Sequence, residues 1–268
     1  MIALPIVAAS AIAALLGVLY GLGMRRAQAS NRPLPGRRGP RAAVFAGGVG
    51  CFWLSCVLPG GSVLPEMTGH VLLAFAAPPL LLLGVPRQAL LPLFVHRRSR
   101  RLLKALTQPA RAVVVFLGVL LLCYLPVVFD ATLVNALYRF GIGLAIFTAA
   151  LIFWWPVIEP FPTWDRELAG LGKLLYLFVG SSVLKALGFI LALVPQPIYS
   201  LPVHVHPLWG LRPIDDQQYA GWLMVAAGAL VLLAAATVIC FQLLLEPDET
   251  DGSFSARGQG SKARGRGR

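Results

Sequence analysis

The chain has 268 residues, of which 57% are hydrophobic and only 13% are charged, and its formal net charge at pH 7 is +12. A soluble domain carries about one quarter charged residues, so this composition excludes an ordinary water-soluble fold. The basic residues flank long apolar runs, a distribution that is typical of an integral membrane protein and not of a nucleic-acid-binding protein.

Seven apolar runs each approach the length of about 20 residues that one helix needs to cross a bilayer. They lack the alternation of a transmembrane barrel, so the predicted fold class is all-α, a polytopic integral membrane protein. The predicted helices cover residues 2–23, 43–63, 67–86, 111–129, 134–157, 173–195 and 218–245. No positively charged segment precedes the first run, which predicts a retained helix and not a cleaved signal peptide. Pro78 and Pro79 predict a distortion of the third helix that frees backbone carbonyls.

Two regions of the chain differ sharply in composition. Residues 1–247 are predicted to form the seven-helix transmembrane domain. Residues 248–268 are rich in Gly, Ser and Arg, and predict a disordered, basic, cytoplasmic tail that contacts anionic membrane lipid. The four cysteines all fall inside apolar runs, which does not indicate a disulfide framework.

The basic residues also predict the orientation of the chain in the membrane. Of the 23 Lys and Arg residues, all but Arg139, Lys185 and Arg212 fall on one side of a seven-helix arrangement. The positive-inside rule makes that side cytoplasmic, so the N-terminus is predicted outside and the C-terminus inside. Arg139 is close enough to the outer surface to reach it by snorkelling.

Lys185 is predicted near the middle of the sixth helix, where an ammonium group must face the helix bundle or a wet cavity. A structural role and a role in moving an ion or a proton both fit this position. The candidate partners of this lysine are the carboxylates Asp130, Asp215 and Asp216.

Methionine and histidine side chains collect on the predicted outer face. A thioether and imidazole donor set suits Cu(I) better than magnesium or calcium, so this face is a predicted copper site. The candidate metal ligands are Met67, His70, His204, His206, Asp216 and Met224. Cys56 and Cys123 could add thiolates, although cysteine is more often a small buried apolar residue. The alternative is that these residues only cap a loop or occupy the membrane interface.

No catalytic motif is present in the sequence. HExxH, GxSxG and CxxC patterns and a P-loop are all missing, so the chain is predicted not to be an enzyme.

Three segments resemble the polytopic CtaG family of cytochrome c oxidase assembly factors. Residues 67–86 are similar to its M-x-x-H…APPLL…G-x-P pattern, residues 153–157 to FWWPV, and residues 216–224 to D-Q-Q-x-A-G-x-x-M. The resemblance implies a seven-helix protein of the bacterial inner membrane that helps to assemble a haem-copper oxidase, with an oxidase subunit as its partner. It also implies a part in supplying copper to that subunit.

The chain departs from the family pattern at three positions. Glu66 stands where the family often has a histidine, and Arg139 and Gly143 stand where it tends to carry an H-x-x-x-H pair.

The leading expectation from the sequence is an assembly factor that binds or delivers Cu(I) on the outer face. The alternatives are a scaffold for oxidase subunits that holds no metal, and a transporter of a small solute or ion that uses Lys185.

Overall fold

The computed structural model of the chain describes residues 3–29, 38–86, 89–90, 96–160, 168, 170–200 and 210–245. Within these ranges the secondary structure is helical, and the helices are α1 (Ala3–Ala29), α2 (Arg38–Val57), α3 (Val63–Val71), α4 (Ala77–Gly84), α5 (Arg97–Leu106), α6 (Pro109–Cys123), α7 (Pro126–Val134), α8 (Ala136–Ile158), α9 (Gly170–Leu193) and α10 (Pro213–Leu245). His204, His206 and the predicted tail 248–268 lie outside the described residues.

The predicted all-α, polytopic architecture is confirmed. Six spans in the described part of the chain are long and apolar enough to cross a membrane, and the α3–α4 segment is one of them. A seventh crossing results if α5 and α6, which meet at a bend of 73°, count as one span. The orientation stays a prediction. We use the name "outer end" for the end of the bundle that holds the α2–α3 turn and the first turns of α8 and α10.

The fourth predicted helix, residues 111–129, is the least accurate of the seven predictions. The structure has two helices there, because α6 ends at Cys123 and α7 begins at Pro126. Proline has no N–H group and disfavours helical geometry in the residue before it. Leu125 accordingly takes an extended conformation with ψ of 133°. The helix α5 was not predicted, because its arginine-rich sequence has no long apolar run.

The α2–α3 turn also departs from the prediction, which extends the second helix to residue 63. Helix α2 ends at Val57, and the sequence Pro59-Gly60-Gly61 then forms the turn. Gly61 has φ of +94°, a conformation that glycine adopts without steric cost. This turn brings the start of α3 against the rest of the outer end.

Helices α9 and α10 pack closely because glycines face each other between them. A Cβ atom on Gly188 would lie 2.7 Å from the carbonyl oxygen of Gly221 and 3.0 Å from the Cβ atom of Met224. Small residues allow helix backbones to approach in this way in a membrane. Met224 is therefore packed within the helix bundle.

Candidate functional site

The N-terminus of α3 is capped by a carboxylate from another helix. Asp216 lies in the first turn of α10, and its oxygens accept hydrogen bonds from the backbone N–H groups of Val63 (2.7 Å) and Leu64 (3.3 Å). The Ser62 hydroxyl donates to both carboxylate oxygens at 2.9 Å. The first N–H groups of a helix lack intrahelical partners, and a negative charge near them is favourable. Asp216 supplies both the acceptors and the charge at a fully buried position.

Gln217, the residue after Asp216, supplies hydrogen-bond donors to the C-terminal end of a helix. Gln217 donates through Nε2 to the carbonyl oxygens of Leu191 (3.3 Å) and Gln196 (3.4 Å), at the end of α9 and just beyond it. Its Oε1 atom accepts from the backbone N–H of Ile198 at 2.7 Å. The last carbonyls of a helix need donors, which an amide provides and a carboxylate does not. The adjacent residues Asp216 and Gln217 thus satisfy the ends of two different helices.

Arg139 supplies hydrogen-bond donors to a third helix end, the C-terminus of α2. Its Nη2 atom donates to the carbonyl oxygens of Cys56 (3.1 Å) and Leu58 (2.7 Å), and its Nε atom lies 3.6 Å from Oε2 of Glu66. The expectation that Arg139 snorkels to the surface is wrong, because its side chain is only 17% exposed and binds inward. A cation near the last carbonyls of a helix is favourable.

Glu66 and His70 form the buried polar centre of the outer end. Oε1 of Glu66 lies 3.5 Å from Nε2 of His70, one turn further along α3, and the Glu66 side chain is only 4% exposed. The imidazole ring of His70 packs edge-on against Tyr124 and Phe129, with ring centroids 5.7 and 6.1 Å away. Neither ring nitrogen of His70 has a hydrogen-bond partner.

A small cavity adjoins this centre. Its volume is about 30 Å³, which is enough to hold at least one water molecule. Glu66, His70 and Arg139 line it, together with Cys56 and Gly143. The three positions at which the sequence departs from the CtaG pattern, 66, 139 and 143, therefore converge on one cavity beside His70.

The distortion predicted at Pro78–Pro79 is a π turn over Leu72–Ala76, between α3 and α4. Pro78 has no N–H to donate to the carbonyl four residues earlier, which belongs to Ala74. The indole Nε1 of Trp154 in α8 donates to that carbonyl oxygen at 2.9 Å. The tryptophan thus satisfies a backbone group that the proline leaves without its helical partner.

The chain after α9 is held against α6 and α7. The Tyr199 hydroxyl donates to the carbonyl oxygen of Tyr124 at 3.1 Å, and the backbone N–H of Ser200 donates to Asp130 at 3.1 Å. Burial, with a smaller contribution from the Asp130 carboxylate, raises the pKa of Tyr199 above its ordinary value. The phenol therefore stays protonated and remains a hydrogen-bond donor.

The sequence model for the cytochrome c oxidase caa3 assembly factor family (Caa3_CtaG) matches residues 18–246. The chain belongs to the Caa3_CtaG family. No curated protein and no solved structure matches the chain.

In this Caa3_CtaG chain, the three motif segments are joined through the α3–α4 span. Asp216 and Gln217 of the third motif cap α3 and α9, and Trp154 of the second motif binds the backbone of the first. These contacts give the motif residues an architectural explanation.

Of the six predicted metal ligands, Met67, His70, Asp216 and Met224 lie in the described part of the chain, and all four are buried. Met67 and Met224 are fully buried in the apolar core, and the oxygens of Asp216 are engaged by α3. Over the described ranges, no group of three or more His, Cys, Asp or Glu side chains could hold a metal ion. Of the predicted ligands that the structure describes, His70 alone faces the cavity as a donor without a hydrogen-bond partner. Copper binding stays a prediction, as does any part for His204 and His206.

Lys185 does not contact the carboxylates that were its candidate partners. Its Nζ atom lies 5.0 Å from the ring centroid of Phe178, and its aliphatic chain packs where a side chain on Gly228 would otherwise lie. Asp130, Asp215 and Asp216 are bound by Ser200, Arg212 and α3, respectively. These contacts favour a packing role for the lysine.

Sequence reasoning missed the parts played by Glu66, Arg139, Gln217 and Trp154. One signal was available for Glu66, which is four residues before His70 and so shares its helix face. A second signal was the spacing of Ala74 and Pro78, which shows that the carbonyl of Ala74 needs another donor.

Proposed function

We propose that this chain assists the assembly of a haem-copper oxidase in the bacterial inner membrane as a non-catalytic scaffold that contacts an oxidase subunit within the bilayer. Family membership supports a function in oxidase assembly. The observation that carries the scaffold proposal is the use of motif side chains as caps between helices, with Asp216 bound to α3 as the main example. Such caps make the outer end a rigid frame.

The surface through which the scaffold would contact its partner lies on α9 and α10. Trp222 and Phe189 form an edge-on ring pair with centroids 5.9 Å apart, and Tyr219 precedes Trp222 by one turn. All three rings are more than 40% exposed. Large aromatic side chains are enriched at protein interfaces, where they contribute much of the binding energy. We propose that a transmembrane helix of the oxidase subunit packs on them.

Site-specific photo-crosslinking in cells that express the oxidase tests this contact. A photoreactive residue at position 222 should give an adduct with an oxidase subunit. The matched control is position 114 on α6. Val114 is 69% exposed, so it is at least as accessible as Trp222, which is 49% exposed. Equal adduct yields at the two positions, or none at position 222, would remove the proposed surface.

The second candidate function is that the chain binds Cu(I) for delivery to the oxidase. Two observations favour it. The buried His70 has no hydrogen-bond partner, and it lines the same cavity as Cys56. Thiolate and imidazole groups are both suitable ligands for copper. Titration of the purified protein with Cu(I) tests this candidate. Binding that is lost in both His70→Ala and Cys56→Ser would favour delivery of copper over the scaffold.

A further inference from the structure

The Glu66 carboxylate lies in a place where its charge must be balanced. Its side chain is 4% exposed, in a segment that spans the membrane. A buried carboxylate persists in the ionised form only beside an opposite charge and hydrogen-bond donors. The guanidinium of Arg139 supplies a permanent positive charge beside it, with the Nε–Oε2 distance at 3.6 Å.

The position of this guanidinium is fixed by more than the carboxylate. Nη2 is held by two carbonyl oxygens at the end of α2, and the other end group, Nη1, lies against Gly60. A Cβ atom at residue 60 would overlap Nη1, so a larger residue there would have to displace the end of the arginine side chain. The chain places the cation by contacts from three separate elements.

His70 lies on the other side of the carboxylate. It contacts Oε1 of Glu66 at 3.5 Å, has no hydrogen-bond partner for either ring nitrogen, and lines the cavity of about 30 Å³. Carboxylate oxygen and imidazole nitrogen are common zinc ligands. With Arg139 present, however, a second cation in this space would meet a fixed positive charge at short range.

We infer that Arg139 is the resident cation of a buried site formed by Glu66 and His70, and that its guanidinium fills the place that a free cation would take. The wild-type cavity therefore excludes metal cations, both Zn²⁺ and Cu(I). Removal of the guanidinium opens a site of the Glu-His class that accepts a small external cation. This inference does not depend on the scaffold proposal, since it concerns the charge balance of the isolated protein.

The test is rescue of the purified, detergent-solubilised Arg139→Ala variant, with two probes used separately. Methylguanidinium at millimolar concentration replaces the missing group, and Zn²⁺ binds the Glu66 and His70 donors that the substitution uncovers. Loss of one partner of a buried ion pair should lower the Tm of the variant by about 5 °C or more. Each probe should restore at least about half of that loss, because a ligand that binds only the folded state stabilises it.

Three controls separate a specific site from a general effect. Arg111→Ala removes an exposed arginine near the start of α6 and should show neither the loss nor the rescue. Glu66→Gln/Arg139→Ala removes the carboxylate as well, so neither probe should stabilise it. Wild-type protein should show no Tm increase with either probe, and equilibrium dialysis should find Zn²⁺ bound to Arg139→Ala in excess over wild type.

Two outcomes would overturn the inference. One is an Arg139→Ala variant that neither probe stabilises while the protein remains folded by circular dichroism. The other is a wild-type protein that binds Zn²⁺ or Cu(I) in a manner that depends on His70. If Arg139→Ala does not fold on its own, its purification with and without methylguanidinium carries the same test, and a variant that folds under neither condition would also count against the inference. The crosslinking result at position 222 is independent of each of these outcomes.

Discussion

Substitution of Asp216 by alanine tests the capping of α3 most severely. It removes an acceptor set that binds two backbone N–H groups and one hydroxyl in a fully buried place. Loss of an N-cap costs about 0.5–2 kcal/mol, and hydrogen bonds to charged groups contribute about 1.5–3 kcal/mol. The buried donors left without partners lower the free energy of unfolding further. The variant no longer has to bury a carboxylate, which offsets part of this loss. We expect a net destabilisation of about 2–4 kcal/mol, because these contributions are not additive.

The assay is thermal unfolding of the purified protein in detergent. For a chain of this size, that destabilisation corresponds to a fall in Tm of roughly 4–16 °C. The control is Asp215→Ala, which removes the adjacent carboxylate on the same helical turn. Within the described ranges, Asp215 is paired only with Arg212, whose side chain is 77% exposed. The Tm of the Asp215→Ala protein should be unchanged, since exposed ion pairs contribute little to stability.

The result that would refute this reasoning is an equal Tm for the two alanine variants. A second contradiction would be an Asp216→Ala protein that unfolds like wild type but has lost bound copper. Asp216 would then be a metal ligand, as the sequence pattern suggested, and not a cap.

Two further predictions concern helix packing, and both use thermal unfolding. Trp154→Phe removes the donor to the Ala74 carbonyl and should cost about 1–3 kcal/mol, whereas Trp53→Phe, whose indole donates to Ser10 at an exposed position, should have little effect. Equal losses in the two variants would exclude a special role for the bond to Ala74. Gly188→Ala should cost about 1–3 kcal/mol, because its methyl group would lie 2.7 Å from the carbonyl oxygen of Gly221. Gly141→Ala, where the methyl group would meet no atom within 4 Å, should instead stabilise the helix by about 0.5–1 kcal/mol. A stable Gly188→Ala protein would contradict the close approach of α9 and α10.

Much of the fold was predictable because the bilayer imposes a length on each crossing. Apolar runs of about 20 residues located the helices, and the distortion at Pro78 followed from the missing N–H group. The break at Tyr124–Leu125 was predictable in principle from Pro126, but the continuous apolar composition on both sides obscured it.

The site was less predictable because its contacts join residues that are far apart in sequence. Asp216 and Val63 are separated by 153 positions, and no local pattern shows that a carboxylate in α10 caps α3. The same is true of Glu66 and Arg139: the sequence shows them as two separate departures from the family pattern, and the structure shows that they form an ion pair. Met67 and Met224 were correctly placed on helices, but helical spacing does not distinguish a core methionine from a copper ligand.

The most direct test of the scaffold proposal is whether added copper replaces the protein. A strain that lacks this chain should have little activity of the oxidase that it serves, and the wild-type gene should restore that activity. Our account predicts that a copper supplement to the growth medium restores none of it, because the missing function is contact with an oxidase subunit. Full recovery with copper alone would contradict the account and would show that the chain supplies the metal.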